Sequence, residues 1–309
     1  MKAAAPHVKV AGWKLWRKHK GLMLLFAPAV AFFIIFSYVP MYGIVIAFKD
    51  FRIAEGILGG QWNGLDNFRS LFSGQSFPRA LRNTIVISLL RLGTGFFAPI
   101  ALALLMNEVR LLWYKRTVQT LTYLPHFFSW VILGGIFRMV FASDGPMNTI
   151  VASLGGDPVA FLTNKYWFLT VIIVTGIWKS VGFGAVIYLA ALAGVPLQLY
   201  EAATVDGAGR WKQTLHITIP CLVPTMVTLF ILSLGGILDA GFDQIYNMYN
   251  SAVYSTSDIL GTYMLRQLQN MDFALGTAAG LFKSVVGLML IVIVNTVAKR
   301  ISQGEQGIW

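Results

Sequence analysis

Six runs of mainly apolar residues are distributed along this chain, and they limit what it can fold into more than any other feature. A helix needs about 20 such residues to cross the hydrocarbon core of a bilayer. Only 12% of the residues are charged, which is about half the fraction of a typical soluble domain. The sequence therefore predicts an all-α, polytopic membrane protein with a six-helix bundle, the runs being 22–48, 84–106, 121–141, 167–193, 221–240 and 275–298.

The segments between these runs are too short to form an independent soluble domain. We predict a basic N-terminus at 1–21, a single membrane domain at 22–298 and a C-terminal tail at 299–309. The first run is longer than the apolar region of a signal peptide, and Ser37 to Pro40 lacks the small-residue pattern of a cleavage site. The first run is thus expected to remain as the first span.

The distribution of basic residues predicts the orientation of the chain. Lys and Arg number 13 on the side that holds both termini and 7 on the other side. Positively charged flanks resist translocation, so both termini and the segment 196–220 are expected to face the cytoplasm. The net charge of +11 is spread over these flanks, which favours topology over nucleic-acid binding as its cause.

The polar segment 196–220 has the pattern of a helix, a forced turn and a second helix. Pro196 suits the first position of a helix, and Gly207 allows the positive φ that closes one. Asp206 is expected to cap the amides of the second helix. In that helix Ala208, Trp211 and Leu215 would form one apolar stripe. This form indicates a docking element, although a helix lying on the membrane surface remains an equal alternative.

Glu201 lies late in the first of these two helices, where the helix dipole disfavours an anion. A cation supplied by a partner would explain its presence. The small residues Ala202, Ala203, Gly207 and Ala208 would permit a partner to approach closely.

The run Glu201-Ala202-Ala203, Asp206-Gly207-Ala208 and the closing Ile217 to Pro220 resembles the cytoplasmic loop of binding-protein-dependent ABC importer permeases, the type I or MetI-like class. The resemblance implies a coupling helix that inserts into a cleft of a separate ATPase subunit. Thr214 and Leu215 stand where an aromatic residue is common in that superfamily. The ATPase-coupling residues implied are Glu201, Ala202, Ala203, Asp206, Gly207, Ala208, Trp211 and Leu215.

Several further motifs resemble the oligosaccharide permeases of the alginate and rhamnogalacturonan type, among them 39–50, 124–130, 247–250, 280–284 and 307–309. This implies a carbohydrate-transport permease of the bacterial plasma membrane, which forms half of a translocation pathway. The partners implied are cytoplasmic ABC ATPase subunits, a second and different permease, an extracellular or periplasmic solute-binding protein, membrane lipid and an oligosaccharide.

The sequence contains no phosphate-binding loop; Gly276 to Ser284 approaches that motif with the wrong spacing. We therefore expect no cofactor and no enzymatic site in this chain, with ATP bound by the partner subunit. The single cysteine, Cys221, rules out an internal disulfide and is expected to be packed inside the bundle.

Charged residues inside the apolar runs are candidates for the substrate pathway, because an unpaired ion in hydrocarbon costs at least about 2.5 kcal/mol. Cations would suit uronate-bearing sugars and aromatic rings could stack on sugar faces, although pairing within the bundle would also explain them. Arg138 and Asp239 lie near the outer ends of their runs and are expected to extend to the interface. The pathway candidates are Arg91, Trp130, Trp178, Lys179, Tyr188 and Lys283.

The loop after the first run contains a short amphipathic pattern, Leu65, Phe68, Leu71 and Phe72, expected to lie flat at the membrane interface. Two other functions are alternatives at this point. An enzyme acting on lipid-linked sugars would need clustered carboxylates or metal ligands, for which Asp239 and Asp243 are weak candidates. An ion-coupled secondary transporter would show inverted repeats or paired broken helices.

Overall fold

The computed structural model describes residues 20–301, so most of the predicted N-terminal and C-terminal segments lies outside it. Within these residues the fold is built from helices, and five of them are long and apolar enough to cross a membrane. Their bounds are Lys20–Phe48, Ser76–Glu108, Lys165–Ala193, Arg210–Leu234 and Phe273–Ile301, the first and fourth of these containing 3₁₀ or π turns.

The predicted third span is not a straight helix. Leu112–Phe127 and Trp130–Val140 meet at an angle of 106°. Phe128 is extended at the break, and the Ser129 hydroxyl accepts a hydrogen bond from the Ile132 amide to begin the second half. The two halves together give a sixth candidate span, so the predicted number stands and the predicted shape is wrong.

The first span has a different environment from the others. No residue of Lys20–Phe33 is buried, and this part of the span extends away from the bundle. Its second half, Val39–Phe48, packs on the last helix, Phe273–Ile301. The helices Ser76–Glu108 and Lys165–Ala193 make the most extensive contact in the molecule and form its centre.

Shorter helices lie between the spans, mostly at one end of the bundle. We call this the loop end; it carries the connections 49–75, 141–164 and 235–272. Its helices are Asp66–Ser73, Pro146–Ser153, Phe242–Met248, Tyr254–Ser257 and Leu260–Gln269. The opposite end, the hairpin end, carries Leu197–Val205 and the start of Arg210–Leu234.

The predicted amphipathic helix is present as Asp66–Ser73. It packs on the bundle, because Leu71 is buried and Phe68 contacts the same cluster of core residues. Phe68 and Leu71 therefore serve the protein core, whereas Leu65 is 58% exposed and Phe72 is 50% exposed.

An ion pair fixes the loop end. The buried carboxylate of Asp258 receives two hydrogen bonds from Arg266, at 3.1 and 2.7 Å, and one from the Thr262 hydroxyl at 2.9 Å. These hydrogen bonds raise the pKa of Arg266 above its usual value. Burial raises the pKa of Tyr249 and Tyr263 beside it. Removing the Arg266 side chain would leave the buried Asp258 carboxylate uncompensated, at a cost of about 3–5 kcal/mol.

Candidate coupling hairpin and translocation cavities

The predicted hairpin is present between Leu197 and Thr218. Its first helix is Leu197–Val205, and Pro196 is the cap that precedes it. Gly207 has φ +75°, its amide donates to the Thr204 carbonyl at 3.1 Å, and the Ala208 amide donates to the Ala203 carbonyl at 2.8 Å. These two hydrogen bonds form the left-handed glycine cap that commonly ends a helix. The predicted turn at Gly207 is therefore confirmed.

Two details of the predicted second arm are wrong. Its helix begins at Arg210 with Gly209 as the cap, so Ala208 precedes the helix and belongs to the turn. Asp206 ends the first helix and makes no capping bond to the second, since the compact glycine turn places it beside the first. From Arg210 the chain continues through a π turn, Thr214–Thr218, into the fifth span without interruption.

Side-chain hydrogen bonds join the two arms of the hairpin. The Gln213 amide donates to the Thr204 hydroxyl at 3.0 Å and to the Ala208 carbonyl at 2.9 Å. The hydroxyls of Tyr200 and Thr218 lie 3.0 Å apart and share a hydrogen bond. The arms are thereby held at a fixed angle, so that the hairpin and the start of the fifth span form one unit.

The hairpin exposes most of the residues predicted to contact an ATPase. Trp211 is 74% exposed and Leu215 is 42% exposed, and Val205 beside the turn is 88% exposed. Glu201, Ala202, Asp206 and Gly207 are also exposed, whereas Ala203 and Ala208 are half-buried. The Glu201 carboxylate makes no hydrogen bond or ion pair within residues 20–301. The tip thus combines an apolar surface with an unpaired anion.

One ion pair connects the hairpin to a neighbouring span. Arg210 lies 3.1 Å from the Glu108 carboxylate at the end of the second span, and both side chains are about half exposed. An exposed pair of this kind contributes at most about 1 kcal/mol. It positions the hairpin without fixing it rigidly to the bundle.

Two cavities lie between the spans, on either side of the segment 235–241, which we call the strap. The strap follows the fifth span, which ends at Leu234, six residues before the predicted end. It contains a short 3₁₀ turn, Ile237–Asp239, and two consecutive residues with positive φ, Ala240 and Gly241. The Ser88 hydroxyl donates a hydrogen bond to the Ile237 carbonyl and holds its middle.

The first cavity has a volume of about 430 Å³ and lies between the strap and the second and fourth spans. Arg91 and Tyr188, both predicted pathway residues, line it. The second cavity, of about 850 Å³, lies between the strap and the last span and is lined by Lys283. Both volumes fall within the range of about 300–1,000 Å³ that is usual for ligand sites.

Lys283 is paired in the structure. Its ammonium lies 3.6 Å from the Asp239 carboxylate of the strap. Asp239 was expected to extend alone to the interface; the break at Gly235 and Gly236 turns it inward instead, towards the last span. Arg138 is exposed on the second half of the third span.

The other pathway candidates lie elsewhere. The Lys179 ammonium donates to the His126 carbonyl at 3.0 Å and sits 5.6 Å from the centre of the Trp130 ring, at the break in the third span. Trp178 lines a separate, apolar cleft with Phe137. The six predicted residues are therefore divided among four places. Cys221, expected to be packed, is exposed.

Gln244 is a residue of this region that no sequence pattern predicts. This residue is fully buried, and its amide nitrogen donates to the Ile172 carbonyl and to the Thr175 hydroxyl, both at 2.8 Å. Its amide oxygen accepts a hydrogen bond from Arg91. Arg91 and Gln244 are 153 residues apart in the chain, so no local pattern in the sequence indicates that they pair.

Within the described part of the chain no group of three or more His, Cys, Asp or Glu side chains is placed to hold a metal ion. The geometry shows instead a helical membrane bundle with lined cavities and a projecting, internally bonded hairpin. This architecture is that of a membrane transport component.

The comparison with protein families agrees with this class. Residues 92–305 match the family "Binding-protein-dependent transport system inner membrane component". The chain belongs to this family, and it is the inner-membrane permease of an ABC importer that works with a solute-binding protein and an ATPase.

Similar proteins cover almost the whole chain. Protein LplB of Bacillus subtilis (strain 168) is 43% identical over 93% of this chain and 91% of its own length. The polygalacturonan/rhamnogalacturonan transport system permease protein YteP of the same organism is 42% identical over 94% and 91%. A crystal structure of a bacterial alginate ABC transporter, in complex with its alginate pentasaccharide-bound periplasmic protein, contains a chain with a TM-score of 0.88 and 39% identity. This match covers 96% of this chain and 99% of that one.

Proposed function

We propose that this permease forms half of the pathway through which an ATP-driven importer carries uronate-bearing oligosaccharides, and that the hairpin at 197–218 is its contact with the ATPase. The observation that carries the docking proposal is the hairpin itself. It is bonded internally across both arms, and it exposes Trp211 and Val205 at one end of the bundle. An exposed apolar patch with a polar rim is typical of a protein contact.

The continuity of the second arm with the fifth span supplies a mechanism of coupling. Closure of the ATPase subunits around ATP moves the docked hairpin, and the helix from Arg210 to Leu234 carries that displacement to the strap between the two cavities. The hairpin is thus one side of a two-state element that a distant site biases. The ATP itself is bound by the partner subunit.

The substrate class is supported by the relatives and by the charges in the cavities. YteP is named for polygalacturonan and rhamnogalacturonan, and the related solved transporter imports the acidic polysaccharide alginate. Arg91 and Lys283 bring positive charge to the two cavities of this chain. Cations in a dry cavity attract carboxylates strongly, because the low dielectric of the surroundings screens them little.

The remaining partners follow the same reasoning. A second permease of different sequence completes the pathway, and a solute-binding protein delivers substrate at the loop end. The excess of basic residues on one side of the membrane supports a cytoplasmic location for both termini and the hairpin. In this arrangement the membrane domain at 22–298 is flanked by cytoplasmic segments at 1–21 and 299–309.

Cysteine crosslinking tests the docking. Since Cys221 is the only cysteine, Cys221→Ser gives a background without thiols. A single cysteine is then introduced at one of three strongly exposed positions, by Val205→Cys or Trp211→Cys in the hairpin or by Leu58→Cys at the loop end. With a short thiol crosslinker in membranes that contain the whole transporter, the two hairpin variants should capture the ATPase and Leu58→Cys should not. Equal capture from both ends, or none from the hairpin, would contradict the docking.

A further inference from the structure

Asp239 lies on the wall that the two cavities share. It lines both the 430 Å³ cavity and the 850 Å³ cavity, because the strap passes between them. Its side chain is 58% exposed, in contrast to the fully buried carboxylate of Asp258. A carboxylate in this position can interact with groups on either side of the strap.

On one side its partner is Lys283, whose side chain is 26% exposed. The distance of 3.6 Å between the charged atoms is longer than a hydrogen bond, so the pair is held by charge more than by geometry. A cation at this depth still needs an anion, since leaving it unpaired in hydrocarbon costs at least about 2.5 kcal/mol. Another carboxylate could therefore replace Asp239 at little cost.

On the other side the available cation is Arg91. Its hydrogen bond goes to the amide oxygen of Gln244, which is an uncharged acceptor. Gln244 is itself fixed by its two bonds to the fourth span. No carboxylate forms an ion pair with Arg91 among the described residues, but Asp239 lines the same cavity and lies near enough for the two opposite charges to attract each other.

The backbone of the strap allows it to change its position. It begins with Gly235 and Gly236, and the positive φ of Ala240 and Gly241 at its other end marks a sharp reversal of the chain. One side-chain bond, from Ser88 to the Ile237 carbonyl, holds its middle. A small rotation would turn Asp239 from one cavity to the other.

We propose that Asp239 is the resting counter-ion of Lys283, that a carboxylate of the substrate takes its place during transport, and that Asp239 then turns towards Arg91. The inference rests on the proposed import of acidic oligosaccharides. Asp239 imitates the charged group of the substrate and competes with it for one cation. The preference for acidic sugars therefore comes from Lys283, and Asp239 weakens it because the substrate carboxylate has to displace Asp239 from that cation.

The test uses the complete transporter, reconstituted in lipid vesicles with its binding protein outside and ATP inside. Two probes are compared, an oligogalacturonate and the same oligosaccharide with its carboxylates methyl-esterified. The readout is the selectivity ratio, meaning kcat/KM for the acid divided by kcat/KM for the ester. Every variant receives the same binding protein, so the preference of that protein cancels when variants are compared.

Removal of the competing carboxylate should favour the acidic probe. Asp239→Asn is expected to raise the selectivity ratio about three- to fivefold, and Lys283→Gln to lower it by a similar factor. The double variant should match Lys283→Gln alone, because Asp239 has nothing to compete for once the cation is gone. Asp243→Asn, an exposed carboxylate on the adjoining helix, is the matched control and should leave the ratio unchanged.

If the wild type imports the acid, a selectivity ratio that stays constant or falls in Asp239→Asn would overturn the inference. A double variant that differs from Lys283→Gln would overturn it as well. Failure of the wild type to import either probe would refute the proposed function itself. Asp239→Glu keeps the negative charge and should behave as the wild type. If Asp239→Asn accumulates poorly, this variant separates the loss of the carboxylate from a general defect in folding or insertion.

Discussion

The hairpin at 197–218 and the strap at 235–241 are both sharp reversals built on a glycine with φ +75°, yet they are held in opposite ways. The hairpin is bonded to itself, through Gln213 to Thr204 and through Tyr200 to Thr218. The strap is bonded to other parts of the bundle, through Ser88 of the second span and Lys283 of the last.

The difference indicates what each reversal can do. An internally bonded unit keeps its shape when it is pushed, so the hairpin suits the transfer of a displacement. A segment held by its neighbours changes when they change, so the strap suits a response to the contents of the cavities. The fifth span, Arg210–Leu234, joins the two directly. A movement at one end of this helix can therefore be transmitted to the other.

The strongest test of this contrast is Gly241→Ala in the strap. An added Cβ would lie 2.3 Å from an Arg91 guanidinium nitrogen, so Arg91 would have to move and lose its bond to buried Gln244. The positive φ costs about 1–2 kcal/mol more in alanine than in glycine, and a hydrogen bond to a charged group contributes about 1.5–3 kcal/mol. We expect a loss of about 3 kcal/mol, measured as a lower denaturation midpoint of the purified protein, together with loss of uptake.

Gly236→Ala is the matched control in the same strap. Gly236 has negative φ, and an added Cβ there would meet nothing within 4 Å. Its stability should stay close to that of the wild type. A loss as large as that of Gly241→Ala would mean that the strap tolerates no substitution at all, and the role assigned to Arg91 would be wrong.

The hairpin is tested next, by Gln213→Ala. The change removes the two hydrogen bonds that Gln213 makes, one to Thr204 in the first arm and one to Ala208 in the turn, which together contribute roughly 1–2 kcal/mol, and it leaves the bond between Tyr200 and Thr218. Since the rest of the fold does not depend on these bonds, insertion should be normal while the arms loosen. We expect about a threefold fall in sugar imported per ATP hydrolysed, the factor that roughly 0.7 kcal/mol of lost coupling gives.

Gln198→Ala is the control for this variant. Gln198 lies exposed in the first arm and makes no side-chain hydrogen bond within the described residues. Its transport should equal that of the wild type. Equal falls in both variants would show that the arms need no cross-bonding to transmit movement.

The sequence predicts the hairpin better than it predicts the cavities. The reason is the separation along the chain between the residues that interact. Gly207 closes its turn through amides within five residues, so the dipeptide Asp206-Gly207 is a sufficient signal. The pairing of Asp239 with Lys283, and of Arg91 with Gln244, joins residues far apart in the chain. Only the packing of the spans brings these side chains together.

The break in the third span shows a second limit. Hydropathy counts apolar residues and does not register the extended backbone at Phe128, so 121–141 was predicted as one helix. The cap at Ser129 was a usable signal, because a serine before an apolar run commonly begins a helix. The positive φ of Ala240 had no such signal, since alanine does not favour that conformation.

The smallest effect is expected from Gly207→Ala in the hairpin. Gly207 has the same φ as Gly241, but an added Cβ would meet nothing within 4 Å, so only the backbone cost remains, about 1 kcal/mol. Amide hydrogen exchange at residues 203–208 should rise about fivefold while uptake falls only slightly. Gly207→Asn should lie between alanine and the wild type, because asparagine adopts the left-handed region more readily. If alanine at Gly207 proved as damaging as alanine at Gly241, the two reversals would not differ in how they are held, since backbone conformation alone would then account for both.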